Sequence, residues 1–366
     1  MKKLFFIAAI ASAALVSCTK NEVSQVADQH EITFETPIIG AATKVDLLTE
    51  YDQNTHFGVF GLYYSEDWTE YADGILYMNN VEVERVAPAG GDTDGGWTAS
   101  GYYWPKNPTS TLTFAAYSPY MSSGVSHDEE GIHFSDYVVE TGNVDLLFSD
   151  RTYNQKEANQ TVNNTVYYGI DITFNHALSA ILFQAKAADG LTGNDDGTPN
   201  YEFVITEIKI LNANSKGTFN QGLDDDETNP ATPAASADDW DTSVPNDYLA
   251  NTAPITVDST TPVSEFGDNN TGKANLILLP QSLDNVKVQV TYNLRHDGMA
   301  ENEYIEGNVA EANLSYDDTE DDSNDVTSWL RGKRYIYTLT LGLDEIYFAP
   351  NISDWSDVTI PGDTIL

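Results

Sequence analysis

The stretch that decides the fold lies near the C-terminus, where residues 329–341 read WLRGKRYIYTLTL. From residue 335 onward, large apolar side chains alternate with polar or smaller ones, and the apolar set is Tyr335, Tyr337, Leu339 and Leu341. A period of two is typical of a β-strand with one face on a core and the other partly exposed to water. The stretch therefore predicts the closing strand of a β-domain, followed by a short tail beyond Asp354 and Trp355.

Similar strand-like runs occupy most of the chain. In the first half they cover residues 31–36, 56–64, 75–86, 97–104 and 111–117, and in the second half 166–174, 178–185, 201–211, 275–279, 286–292, 303–314 and 346–348. Turns rich in Gly and Asp separate them. Residues 177–188 could also form a helix, but their β-rich neighbours favour a strand. The pattern predicts an all-β protein built as a sandwich or a barrel.

A chain of 366 residues is long enough for two domains, each with its own core. The polar stretch 149–164 has no apolar periodicity and is interpreted as the boundary. This predicts an N-terminal β-sandwich at 45–160 and a C-terminal β-sandwich at 161–366. Two acidic insertions, 222–247 and 317–325, are predicted to be loops without core-forming residues.

The chain is strongly acidic, with 57 Asp and Glu against 17 Lys and Arg and a formal net charge of −40. Such a surface repels phosphate backbones, which argues against nucleic acid as a partner. A hydrophobic fraction of 41% indicates packed sheets rather than disorder.

The first residues of the sequence are predicted to be a targeting signal. Two lysines precede an apolar run at 4–16, and the run ends in Leu-Val-Ser followed by Cys18, the single cysteine of the chain. This arrangement resembles a bacterial lipobox, in which the cysteine is lipidated and becomes the first mature residue. It predicts a signal peptide at 1–17 and a lipoprotein held at a membrane by acyl chains on Cys18. The alternative is an ordinary secretory signal with a coincidental cysteine.

No motif in the sequence indicates catalysis or a cofactor. There is no Gly-x-Ser-x-Gly elbow, and the six histidines show no metal-binding spacing, so neither an enzyme nor a metal site is predicted. The acidic insertions lack the spacing of a calcium loop, and solvated loops are favoured over calcium binding. Tyr102, Tyr103 and Trp104 could form a platform for stacking sugars, although an aromatic strand buried in the core is the favoured interpretation.

A structural function is also consistent with the pattern. A strand removed from a sandwich leaves an apolar groove with unpaired backbone groups, which a strand from another subunit can fill. Residues 31–36 are a candidate for the removable strand. The tail 358–366, with Val358, Ile360 and Ile365, is a candidate for the donated strand.

With these features in place, the chain resembles the fimbrillin-family lipoproteins of the Bacteroidales, the subunits of type V pili. The resemblance covers essentially the whole length and rests on the order and spacing of 145–148 (DLLF), 174–179 (FNHALS), 278–281 (LLPQ) and 329–355. It implies two transthyretin-like β-sandwich domains in tandem after a lipoprotein signal peptide. It also implies that surface proteolysis after a basic residue removes the first strand, and that the emptied groove accepts a strand from the next subunit.

Carried onto this chain, the resemblance makes Cys18 the lipidation site and Lys44 the processing site, with 18–44 as the prosegment. It also implies an outer membrane lipoprotein, anchored through the lipid on Cys18 and exposed at the cell surface or in a fimbrium. The family usually has Arg at the cleavage site, and the next arginine here, Arg85, falls inside the predicted first domain. One expected function is a stalk or anchor subunit of a fimbrium, with other fimbrial subunits as partners. The other is a surface lipoprotein or tip adhesin that binds carbohydrate or protein ligands on host or bacterial surfaces without polymerising.

Overall fold

A computed structural model of the chain describes residues 30–39, 51–52, 54–86, 96–157, 161–162, 166–167, 169–224, 230–250, 253–262, 276–316, 325–343 and 346–354. Strands are the main secondary structure of these residues, with one short 3-10 helix at Tyr71–Asp73. No helix among them has the length and apolar character needed to cross a membrane. The all-β prediction is confirmed.

The described residues of the first half contain the strands β1 to β12. They are β1 (Glu31–Phe34), β2 (Ile38–Ile39), β3 (Phe57–Tyr64), β4 (Ile75–Val86), β5 (Gly96–Tyr103), β6 (Thr111–Ser118), β7 (Val125–Asp128), β8 (Gly131–Val138), β9 (Leu147–Ser149), β10 (Thr152–Gln155), β11 (Thr161–Val162) and β12 (Val166–Tyr167).

The strands of the second half include the longest one, β15. They are β13 (Thr173–His176), β14 (Ser179–Ala187), β15 (Tyr201–Asn220), β16 (Trp240–Leu249), β17 (Ile255–Val257), β18 (Leu276–Leu278), β19 (Gln281–Ser282), β20 (Lys287–His296), β21 (Ile305–Asn313), β22 (Ser328–Trp329), β23 (Lys333–Leu341) and β24 (Ile346–Asp354). The strand interpretation of 177–188 is confirmed by β14.

A nine-stranded sheet forms the N-terminal part. Its order is β1-β5-β4-β3-β6-β9-β13-β2, with β10 paired to β6. Because β1 and β2 follow each other in the chain, the two ends of this order meet at residues 31–39. A parallel bridge between Phe34 and Ile170 joins them. The sheet therefore closes on itself, and residues 31–39 are the element that closes it.

The C-terminal part is a sandwich of two sheets. The seven-stranded sheet has the order β21-β20-β15-β8-β7, with β16 and β17 also on β15, and the four-stranded sheet has the order β18-β14-β23-β24. Ile208 and Val288 on the first sheet enter the same core cluster as Ile181 and Leu339 on the second. This shared cluster holds the two layers together.

The predicted C-terminal strand is β23. Its four alternating residues, Tyr335, Tyr337, Leu339 and Leu341, are all buried as the period-two pattern requires. The strand is not the outermost one, because it pairs in parallel with β14 and antiparallel with β24. The expectation of a closing strand was wrong in this respect, since β24 continues the sheet beyond it.

The acidic insertion 222–247 is not the plain loop that was predicted. Residues from Trp240 onward form β16, which pairs along β15, and the Trp240 side chain is buried with its indole N–H donating to the Ala177 carbonyl at 2.8 Å. Just before the strand, an Asp239 carboxylate oxygen accepts a hydrogen bond from Arg331 Nε at 2.7 Å. The prediction missed this strand because its polar residues hide the alternation. Of the other insertion, 317–324 lie outside the described residues.

The two halves of the chain share one core at their junction. The hairpin β7–β8 lies within 45–160, yet β8 pairs with β15, with Phe134 opposite Phe219. Phe148 also reaches across, with its ring centroid 5.0 Å from that of Phe219. The division into domains at 45–160 and 161–366 stays a prediction, and this hairpin crosses it.

Candidate strand-exchange groove

The segment at 31–39 is hydrogen-bonded along both of its edges. On one edge β1 runs antiparallel to β5, with Thr33 opposite Thr98 and Phe34 opposite Trp97. On the other edge Glu35 N–H donates to the Ile170 carbonyl at 3.0 Å, and Ile170 N–H donates to the Thr33 carbonyl at 2.9 Å. Beyond Pro37, β2 continues this edge in parallel with β13. We call the space that this segment occupies the first-strand groove.

Two side chains of β1 anchor the segment in the N-terminal core. Ile32 is fully buried and Phe34 is 1% exposed. The Phe34 ring meets Phe57 and Phe114 edge to face, with centroids 5.7 and 5.6 Å apart. Burying one large apolar side chain contributes about 1.5–3 kcal/mol. The segment is therefore part of the core rather than an appendage.

A glycine lets the chain approach β1 closely. A Cβ atom on Gly169 would lie 2.1 Å from the Phe34 carbonyl carbon and 2.3 Å from Glu35 N. Both neighbours are backbone atoms, which cannot move aside without breaking the pairing of β1 with Ile170. Only glycine fits at this position of the groove wall.

The chain re-enters the N-terminal core at Tyr51, after residues 40–50. Its ring packs beside Trp97 and Phe174, with centroids 5.3 and 5.8 Å away, and its hydroxyl bonds to Ser118 Oγ at 2.6 Å. Burial raises the pKa of Tyr51. The segment 40–50 is thus flanked by two points fixed in the core, Ile39 and Tyr51.

A negative charge lies at the start of β1. The Glu31 carboxylate raises the pKa of the Tyr103 phenol, which lies opposite it on β5.

Side chains of the types that bind metal ions converge at one place among the described residues. They are His56, Glu82 and Glu84, on the same closed sheet. His176, interpreted from the sequence as a packed histidine, is 4% exposed, with its Nδ1 2.7 Å from an Asp145 carboxylate oxygen.

Several predicted site residues lie outside the described residues. These are the lipidation residue Cys18, the processing residue Lys44 and the tail residues Val358, Ile360 and Ile365. The last described residue is Asp354, which pairs with Lys333 at the start of β23. The tail 358–366 therefore begins four residues beyond the end of β24.

The three aromatic residues of the predicted sugar platform have different environments. Trp104 is 1% exposed and packs against Phe114 in the N-terminal core, so neither face of its indole is open to a sugar. Tyr102 and Tyr103 are half-buried, and Tyr102 meets the 38% exposed Tyr77 edge to face. The three residues do not form one exposed platform.

Sequence reasoning found β1 but missed how the segment continues. Residues 38 and 39 were not recognised as a strand, because two residues after a proline give too short a pattern. The role of Gly169 was also missed, since a single glycine shows a close approach only once its neighbours in space are known.

The described residues thus form an all-β protein in which residues 31–39 complete a closed sheet and a two-sheet sandwich follows. The chain belongs to the fimbrillin-like family, whose model matches residues 43–355. The resemblance inferred from the sequence is thereby confirmed.

The solved structures that are similar to this chain include an adhesion protein and a fimbrial protein. One, described as a candidate cell adhesion protein from Bacteroides uniformis, has a TM-score of 0.51 at 15% identity, covering 91% of this chain and 100% of its own. The other, a fimbrial protein from Bacteroides vulgatus, has a TM-score of 0.50 at 16% identity, covering 88% of this chain and 100% of its own. At these identities the likeness concerns the fold. Among curated proteins, none matches the sequence significantly.

Proposed function

We propose that the protein is a structural subunit, stalk or anchor, of a cell-surface fimbrium that assembles by strand exchange and supports adhesion. The observation that carries the proposal is the first-strand groove, in which residues 31–39 complete a closed sheet through both edges. Membership of the fimbrillin-like family supports the same role, with other fimbrial subunits as partners. The proposed role is structural and involves no catalysis.

The groove has the properties that strand exchange requires. Removal of residues 31–39 would leave unpaired backbone groups on β5 and around Ile170, together with the apolar pockets of Ile32 and Phe34. Unpaired edges readily accept another strand, which supplies main-chain hydrogen bonds while its alternate side chains fill the pockets. A subunit without its first strand would thus be primed to bind a strand of a neighbour.

The tail resembles the segment that it would replace. Residues 32–39 read ITFETPII and residues 358–366 read VTIPGDTIL. Each begins with an apolar-Thr-apolar triplet and ends in two apolar residues, separated by three residues in the first strand and four in the tail. In the groove of the next subunit, Val358 and Ile360 would take the places of Ile32 and Phe34. Pro361 would then stand at the place of Glu35 and would not supply the N–H that Glu35 donates to the Ile170 carbonyl. A bulge would absorb the additional residue before Ile365.

Processing and anchoring complete the proposal. Cleavage after Lys44 would release the prosegment 18–44 that contains residues 31–39, and it would leave Tyr51 in the core of the mature subunit. Lipid on Cys18 would hold the unprocessed chain at the outer membrane before cleavage. A chain that escapes cleavage would remain a lipid-bound anchor.

Mass spectrometry of sheared surface filaments tests the processing step. We expect the wild-type chain in filaments to begin at Val45, and the variant Lys44→Ala to remain at the membrane as acylated protein that begins at Cys18. The control is Lys106→Ala, which alters an exposed lysine in the first half of the chain and should leave filaments unchanged. Wild-type protein found only as monomers acylated on Cys18 would rule out the polymerising subunit.

Deletion of residues 358–366 tests the donated strand. A donor tail predicts that polymerisation is lost while the melting temperature of the monomer is kept. A tail that instead packs as an edge strand of its own subunit predicts a lower melting temperature. That second result would contradict the assignment of the tail as donor.

A second candidate function is a tip adhesin that does not polymerise, and an exposed patch at the start of β4 favours it. Ile75 is 65% exposed and Leu76 is 50% exposed, and Tyr77 links this patch to Tyr102. An aromatic and aliphatic patch of this kind can bind a carbohydrate or a protein surface. Binding on a glycan array that disappears in Tyr102→Ala, together with the absence of filaments, would favour this function over the first.

A further inference from the structure

Three side chains of the types that bind metal ions meet on the closed N-terminal sheet. His56 immediately precedes β3, and Glu82 and Glu84 lie on β4. One ligand atom from each residue lies within 4.8 Å of the other two. We infer that these three residues, the His56 cluster, bind one divalent transition-metal ion, with zinc as the reference ion.

The pairing of β3 with β4 brings the three side chains together. Phe57 pairs with Val83 and Gly58 pairs with Glu82, so the same antiparallel register places His56 opposite Glu84. Phe57 and Val83 are fully buried in the N-terminal core. Since successive residues of a strand point to opposite faces, the cluster projects from the other face of the sheet. Backbone pairing, rather than an acidic loop, therefore positions the donors.

The donor atoms are close to the geometry of a metal site. His56 Nδ1 and Glu82 Oε1 are 2.8 Å apart. Around a zinc ion with ligands at about 2.0–2.2 Å, neighbouring ligand atoms in a tetrahedron are about 3.3 Å apart. After a small movement of the two side chains, a metal ion can thus replace the proton between these two atoms. The His56 and Glu82 side chains are 42% and 39% exposed, so water would complete the coordination.

An aromatic ring packs beside the cluster, and the ligand types of the cluster favour zinc-like ions over calcium and magnesium. The Tyr117 ring covers Gly58, where a Cβ would lie 2.2 Å from the ring, and its hydroxyl donates to Asn80 Oδ1 at 2.6 Å. The imidazole favours zinc and similar ions over calcium and magnesium, which prefer oxygen ligands alone. The net charge of −40 raises the local concentration of any cation.

Calorimetric titration of the whole chain with zinc chloride, after treatment with a chelator, tests the inference. We expect wild-type protein to bind one equivalent of zinc. The variants His56→Ala and Glu84→Gln should bind that equivalent about tenfold more weakly or not at all. Bound metal should also raise the melting temperature of wild-type protein, because it links β3 to β4 in the folded state only. The exposed Glu84 keeps the test valid if the His56 variant folds poorly.

The matched control is His133→Ala. His133 also bonds a carboxylate, with its Nε2 2.6 Å from Asp128 Oδ1, but it belongs to no group of three ligands among the described residues. It should keep the wild-type equivalent of zinc. Equal zinc binding by wild type and His56→Ala would overturn the inference, as would an absence of zinc binding or a site that takes calcium as tightly as zinc.

Discussion

Replacing Phe34 by alanine measures how firmly the first strand is held in its groove. The side chain is 1% exposed and lies edge to face against Phe57 and Phe114. Truncation of a buried phenylalanine costs about 3–5 kcal/mol, because the transfer energy is lost and a cavity remains. At roughly 2–4 °C per kcal/mol for a large domain, the melting temperature should fall by about 6–20 °C.

Thermal unfolding of the unprocessed chain, followed by circular dichroism, provides the measurement. The control is Ile75→Ala on β4, where the side chain is 65% exposed and the change should cost less than about 0.5 kcal/mol. A fall for Phe34→Ala no larger than that of the control would show that the strand contributes little to the core. The groove could then not select a donor by filling the Phe34 pocket, and the reasoning behind strand exchange would be refuted.

Three other changes test the fold around the groove and the junction. Gly169→Ala should lower the melting temperature of the unprocessed chain, since its Cβ would overlap the backbone of β1, and an unchanged value would contradict the close approach. Trp240→Phe should cost about 1–3 kcal/mol in denaturant unfolding, because the buried Ala177 carbonyl loses its indole donor. Burial, aided by Arg151, holds the pKa of His127 well below 6.5. At pH values below about 6.5 the unfolded chain binds a proton on His127 that the folded chain does not bind, so the free energy of unfolding should fall as the pH drops. The fall should be less steep in His127→Gln, and equal slopes of the free energy of unfolding against pH in the two proteins would contradict this.

The strands that the sequence predicts well are those with a strict period of two and a buried face. β23 and β20 are examples, because their alternation reports burial on one side directly. β4 was predicted with its observed bounds at 75–86, although only Met78 and Val83 are buried on it. In β23 and β20 the local pattern and the final environment agree, so no knowledge of the partner strand is needed.

Prediction failed where a residue depends on a distant neighbour. Arg151 lies in the polar stretch interpreted as a domain boundary, yet it is 6% exposed, lies over the rings of Trp68 and Tyr71, and donates to the Glu129 carbonyl at 2.9 Å. A polar residue buried by aromatic and carbonyl partners has no local signature. The His56 cluster was missed for the same reason, since His56 precedes Glu82 by 26 residues in the sequence and meets the two glutamates only through the pairing of β3 with β4.

The position of the first strand suggests why cleavage would have to precede assembly on the proposed mechanism. While residues 40–50 join β2 to Tyr51, the first strand is tethered to its own groove, at an effective concentration of about millimolar for a short linker. A donor tail from another subunit cannot match this at the concentrations of a cell surface, even with similar side chains. Once the segment 40–50 is cut, the released first strand is diluted. The first strand and the donor tail then compete for the groove through their contacts alone. The similarity of 358–366 to 32–39 then matters, because a donor of the same pattern can fill the same pockets, and dilution rather than tighter binding would drive the exchange.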